Sequence, residues 1–374
     1  MPRTSWRLLR ILAVSVSALI FIQSNVIAGL IFNLTDSGGV GAGTDALTGF
    51  TSAASFWSSQ FDDSIEVNLA VGFSSLAPTT LGAAGSTQST YSFSSWKTAM
   101  SNDASSANDT TMVNNLPSGT SFSTYLNRTN NNPNGAGSAT AYLDNDGDAN
   151  NTTLRLNNAN AKAVGLLTAD LAAEDANITF NSDFSWDFDQ SDGIGAGLID
   201  FVGVAIHEIG HAMGFTSGVD ILDIFSPPAM GGPYNDDQFT FVTALDFTRF
   251  SADSESAGAD IDWTADTRAK YFSIDGGATA ATAGTDHWST GLNFGDGRQA
   301  SHWKDNLALG IMDPTAVAAG SVNVVTALDL LALDVVGWNN VTAVPEPSSL
   351  TLLTVIAVIG LGNIRRRRCR NIGL

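Results

Sequence analysis

The spacing of apolar residues changes from segment to segment along the chain, and each spacing predicts an element. Leu47, Phe50, Ala54, Trp57 and Phe61 fall on one helical face. Directly after them the period becomes two: Ile65, Val67, Leu69, Val71 and Phe73 point one way, and Glu66, Asn68 and Ala70 the other. A helix therefore feeds a half-buried strand. A short helix is expected around Phe93–Met100, then a strand, a turn and a strand over 141–156, then another short helix from 157. Ile178, Phe180, Phe184, Trp186 and Phe188 alternate with polar residues and predict one long strand over 178–189. The loop 190–197 leads to a helix opening near Leu198 that is apolar on nearly every face, hence buried. Leu328, Leu331, Leu333 and Val335 predict a last helix, with Gly337 as its stop. Strands and helices in this mixture imply an α+β fold.

The two ends follow different rules. Residues 1–28 carry a basic start, an apolar run from Ile11 to Ile22, and Ala28, the layout of a secretory signal peptide. The run falls short of the ~20 residues a membrane span needs. At the other end, Val344-Pro345-Glu346-Pro347 precedes an apolar run from Leu350 to Leu361 and the block Arg365–Arg368. Positive charge after an apolar run orients a segment with its basic side in the cytoplasm. Residues 344–374 resemble the PEP-CTERM sorting signal of Gram-negative bacteria. That resemblance implies export, transient membrane anchoring, and processing by an exosortase-type partner, leaving the protein secreted, on the cell surface or in the extracellular matrix.

Charge and cysteine content narrow the chemistry. The chain has 17 Lys and Arg against 37 Asp and Glu. Setting aside three arginines before residue 29, and five arginines and Glu346 after residue 343, leaves 9 basic and 36 acidic residues, a net of −27. Such a surface repels nucleic acid. The lone cysteine, Cys369, lies in the tail, so no intramolecular disulfide is possible. Stability must come from the core, or from bound cations. Asp144, Asp146 and Asp148 in "LDNDGDANN", and Asp187, Asp189 and Asp192 in "DFDQSDG", resemble calcium loops. Neither has EF-hand spacing, because Gly147 and Gly193 fall at the wrong place and no closing Glu follows. Solvated turns and Ca²⁺ sites both remain open.

The buried helix carries "IHEIGHAMG", residues 206–214. His207 and His211 lie four apart, so both rings leave one face of the helix. Neutral imidazole is a natural Zn²⁺ ligand, and Glu208 between them can serve as a base without ligating. A catalytic zinc needs a third protein ligand. Gly214 can end the helix in a left-handed turn, and H-E-x-x-H-x-x-G resembles the metzincin zinc peptidases. Most of that clan place a His or Asp where this chain has Ser217, a poor ligand. Glu255 is the alternative that a thermolysin-like arrangement would use, but its segment shows no helical pattern. His287, in "GTDHWST", and His302, in "SHWKDNLALGIMDPT", are the other two histidines.

Ten residues after His302, Met312 stands before Asp313-Pro314. A Gly-terminated histidine helix, a long insertion, Ser-His-Trp and this methionine resemble the leishmanolysin-type metzincins and a bacterial group of PEP-CTERM metalloproteases. The resemblance covers about a quarter of the chain. It implies a twisted sheet with the active-site helix above (29–216), and a smaller lower subdomain (217–343) with the insertion, the Met-turn and the C-terminal helix. It also implies zinc on His207, His211 and His302, Glu208 as base, Met312 as an apolar floor, and a protein or peptide as substrate. His287 is then left to touch substrate or to sit on the surface. The chain departs from the leishmanolysin type in having no disulfides and no cysteine ahead of the site. The strand over 178–189 is the expected edge strand for a bound peptide. A non-catalytic matrix or adhesion protein on such a fold is the competing class, and zinc hydrolysis of a non-peptide amide is a third.

Overall fold

The computed structural model describes residues 29–341, so the expectations for 1–28 and 344–374 lie outside the described residues. Within them the fold is α+β, with nine α-helices, one four-stranded sheet and four smaller sheets. No helix among the described residues is long and apolar enough to cross a membrane.

The expected helix and strand form as α1 (Asp45–Gln60) and β2 (Glu66–Ser74). Thr44 caps α1 by accepting the Leu47 amide at 3.2 Å, and Asp45 complements the helix dipole. The main sheet runs β1 (Ile31–Gly38), β2, an inner strand Ala176–Asn181, then β3 (Gly82–Ser86). β1, β2 and the inner strand are parallel, and β3 is antiparallel to the inner strand. Val67, Leu69 and Val71 are buried as their alternation requires.

The pattern over 178–189 does not make one strand, nor an edge. It breaks after Asn181, and a short piece, Trp186–Asp187, pairs instead with Ile199–Asp200. Asn181 causes the break: its Oδ1 accepts the Leu76 and Asp183 amides, and its Nδ2 donates to Ala77 and Thr80 carbonyls. The alternation continues across the break because both pieces feed one aromatic core. Phe180 and Phe201 sit 4.6 Å apart between ring centres, with Phe50 and Trp186 beside Phe180. The edge is β3, whose sequence "GAAGS" offers no apolar period to detect.

The helix Phe201–Met213 packs on α1. A side chain at Gly49 would collide with the Phe201 ring, and Trp57 Nε1 donates to the Ile206 carbonyl at 3.0 Å. Segments on both sides of residue 217 interlock, because Ile261–Asp262 joins the strands Thr124–Leu126 and Tyr142–Asp144 in one three-stranded sheet. Glu255 lies on a short helix, Ala252–Ala257, where the sequence suggested none; Ser251 caps it.

The last described residues are tied back to the start of the fold. The Asn339 amide donates to Asp63 Oδ2 at 3.0 Å, and its Nδ2 reaches Asp63 Oδ1 and Asp103 Oδ1. Burial pushes the Asp63 carboxyl up to about 7 and that of Asp103 to about 6, against ~3.9 for a free aspartate. The folded state thus binds these protons more tightly than the unfolded chain. Their contribution to stability is complete at acidic pH and is lost as pH rises from about 4 through 6–7. Asp103→Asn should therefore gain thermal stability relative to wild type as pH is raised from about 5 to 8. Parallel melting curves check this; a difference that stays constant across that range contradicts it.

Candidate metal centre

The histidine helix is fixed at both ends. Asp200 caps it, accepting the Gly203 amide at 2.9 Å, and Gly214 closes it at φ +118°. The left-handed turn was legible in the sequence, and so was the all-round burial, from which only His207 and His211 partly emerge.

His207 and His211 turn their Nε2 atoms to within 3.0 Å of each other, and His302 Nε2 lies 3.1 Å from His211 Nε2. Each ring is held from behind by a carbonyl oxygen. His207 Nδ1 donates to Ile311 at 2.7 Å, His211 Nδ1 to Phe215 at 2.7 Å, and His302 Nδ1 to Gln299 at 3.3 Å. A carbonyl only accepts, so the proton of each neutral ring sits on Nδ1 and every Nε2 presents a bare lone pair. Three lone pairs facing one another share no proton, and a cation between them removes the repulsion. Bonds of about 2.0–2.1 Å to a tetrahedral ion would set such nitrogens roughly 3.3 Å apart, near the spacing found. Burial lowers the proton affinity of all three rings, His211 to about 3 with help from His207, so they stay neutral and ready to ligate. Among the described residues this is the one group of three or more His, Cys, Asp or Glu whose ligand atoms come within 4.8 Å.

Glu208 lies beside the cluster, 8 % exposed, and burial raises its carboxyl to about 7. A dication on the histidines would pull it down again. β3 passes directly over it: a Cβ at Gly82 would stand 3.3 Å from Glu208 Oε1 and 2.8 Å from the Phe180 ring. The small residue keeps space above the carboxylate. Met312 is fully buried under the helix, where a Cβ at Gly210 would meet its Sδ at 2.7 Å.

Behind these groups stands Asp329, fully buried, which the sequence reading passed over. Its Oδ1 accepts from Trp303 Nε1 at 2.8 Å and the Met312 amide at 3.3 Å. Its Oδ2 accepts from the Ile311 and Thr326 amides at 2.9 and 2.7 Å and from Thr326 Oγ1 at 3.1 Å. One carboxylate thus joins the residue after His302, the methionine turn and the cap of the last helix, Ala327–Asp334. The Thr-x-x-Asp capping box was the signal that could have found it.

The long insertion closes in a similar way. The Ser217 amide donates to Ser301 Oγ, 84 residues on, at 2.8 Å. Asp220 accepts the Ala300 and Ser301 amides and Ser301 Oγ. Ser217 therefore seats the segment that delivers His302 and does not join the histidine cluster.

The remaining expectations fall elsewhere. His287 neither reaches the cluster nor touches the cleft. It is 1 % exposed, its Nδ1 accepts the Phe272 amide at 3.0 Å, and its Nε2 donates to the Ala283 carbonyl at 3.1 Å. Packing, not substrate contact or surface placement, explains it. Most carboxylates of the two acidic turns accept local hydrogen bonds. Asp144 accepts from Asn150 and Asn151 side chains, Asp148 from the Asn150 amide, and Asp187 from the Asp189 and Gly195 amides.

The histidines and Glu208 form the floor of a cleft of about 810 Å³. One wall is β3 with the turn before it, and the other carries Arg298, Gln299 and the segment Asp313–Ala316. Comparison of the chain with protein-family models, with curated proteins and with solved structures gives no significant match in any of the three.

Asp329 accepts the Met312 amide, and the carbonyl of that same peptide, Ile311 O, accepts the hydrogen bond from His207 Nδ1, a role that outer-shell groups play at metal sites. Asp329→Asn is expected to weaken metal affinity by roughly 10–100-fold. Competition with a chelator of known affinity measures this, and an unchanged affinity contradicts it.

Proposed function

We propose that the protein is an exported zinc endopeptidase of the metzincin type. The observation that carries the reading is the convergence of three proton-bare imidazole nitrogens beside Glu208, under the free side of an edge strand. His207, His211 and His302 would hold the metal. A zinc ion there supplies a Lewis acid for a carbonyl and lowers the pKa of a water to about 7.

The chain's own residues supply the rest. β3 bonds to the inner strand on one side only, so an extended peptide can add to its other side through backbone pairing. This role passes to β3 from the segment 178–189, whose strand part, within Ala176–Asn181, is flanked by β2 and β3. Glu208 takes a proton from water as the water oxygen joins the scissile carbonyl carbon. It returns that proton to the amide nitrogen as the C–N bond breaks, leaving a carboxylic acid and an amine, between which the second water proton passes to give carboxylate and ammonium. Gly82 leaves it room to do so. Met312 and Trp303 close the floor and are buried too deeply to meet substrate. The extracellular setting and the exosortase-type partner rest on residues 1–28 and 344–374.

Glu208→Gln tests the reading. The variant should keep its zinc and lose at least about 100-fold of peptide hydrolysis, the lower range for loss of a general base. A mature protein that holds zinc and cleaves no peptide, or a variant as active as wild type, contradicts it. A matrix role would leave the biological function of the variant intact.

A further inference from the structure

We propose that Arg298 makes this cleft selective for a substrate carboxylate, an inference that rests on the endopeptidase reading. Three charged side chains line the cleft: Glu208, Asp313 and Arg298. Arg298 is its one cation, in a protein whose described part is strongly acidic. Other basic residues are spent inside the fold. Lys162 is buried on Asp175 at 2.6 Å, Lys270 on Asp266 at 2.8 Å, and Lys304 bonds Asp296 at 3.0 Å.

Arg298 is arranged differently. Its Nε and Nη2 both donate to one oxygen of Asp305, at 3.0 and 2.9 Å, and among the described residues no acceptor takes its Nη1 protons. The pair is neutral as a whole but directional. Asp305 is 16 % exposed and lies behind, while Arg298 is 44 % exposed and forms part of the wall. The Arg298 guanidinium is therefore the positive point of a wall that also carries Asp313. Asp305 also pins the long side chain in place, which reduces the entropy lost when a ligand binds.

A planar guanidinium with free N–H donors recognises a carboxylate through charge-assisted hydrogen bonds. Arg298 stands four residues before His302 on the same wall, close enough to read a group a few residues from the scissile bond. The acidic surface raises the discrimination, because it opposes highly acidic substrates as a whole while one position within the cleft welcomes a single negative charge. Two sources present that group: an Asp or Glu side chain within a longer chain, and the free C-terminus of a short peptide.

The experiment uses the mature zinc-loaded protein and a mixture of synthetic peptides, with cleavage sites mapped by mass spectrometry. Matched pairs follow, differing by Glu or Gln at the mapped position, or by a free or amidated C-terminus. Wild type should use the carboxylate member with kcat/KM about tenfold higher or more, chiefly through KM. The ratio should approach one in Arg298→Gln, be partly kept in Arg298→Lys, and shrink as salt is added. The pair that shows the preference identifies the source. Equal use of both members by wild type overturns the proposal, and so does a preference that persists in Arg298→Gln. Cleavage of no peptide by zinc-loaded wild type is a different failure: it removes the endopeptidase reading, and the carboxylate preference with it.

Discussion

The carboxylate of Asp329 is the constraint on which the site depends. Among the described residues no cation pairs with it, it has no water-exposed surface, and five donors from four residues compensate it. Buried charge is tolerated only when hydrogen-bonded in this way. Each donor belongs to a segment that must be placed: Trp303 follows His302, Ile311 bonds His207 through its carbonyl, Met312 underlies the helix, and Thr326 caps the last helix. Gly310 allows the close approach, since a side chain there would run into the carboxylate. Backing of the ligands and closure of the fold are thus the same interaction.

Other buried aspartates do comparable work as staples in a chain whose one cysteine rules out an intramolecular disulfide. Asp200 caps the histidine helix and also accepts from Gln190 Nε2 and from the backbone and side chain of Asn323, on the cleft rim. Asp220 seats the segment that delivers His302. Asp246 gathers Ser217 Oγ, the Gly218 and Thr243 amides and Trp263 Nε1. Much of the acidic composition that reads as surface solvation is spent in this way. That reading was incomplete because burial of an aspartate leaves no trace in periodicity.

What could be read from the chain was whatever a short window determines. The period of α1 and β2, the burial of the histidine helix and its Gly214 turn were all legible, because each follows from neighbours within a few residues. The grouping of His302 with His207 and His211 spans 91 residues and was reached through its distance to Met312 and a resemblance. Composition alone left His287 equally available. Three features were misread or missed for physical reasons. The alternation over 178–189 reports a shared aromatic core, not an unbroken ladder, and Asn181 cuts it. β3 has glycine and alanine where a strand signal needs bulk, and those small residues are what let it lie over Glu208. The segment 252–257 is too short for a helical period and owes its helix to a cap.

The proposed function stands on His207, His211 and His302 holding one metal ion without His287. Zinc per molecule in purified residues 29–343, for wild type, His302→Ala and His287→Ala, tests it most directly. The expected result is about one zinc in wild type and in His287→Ala, and loss of it in His302→Ala. Wild type that takes up no zinc when supplied with it, or a His302→Ala variant that binds as tightly as wild type, would contradict the account.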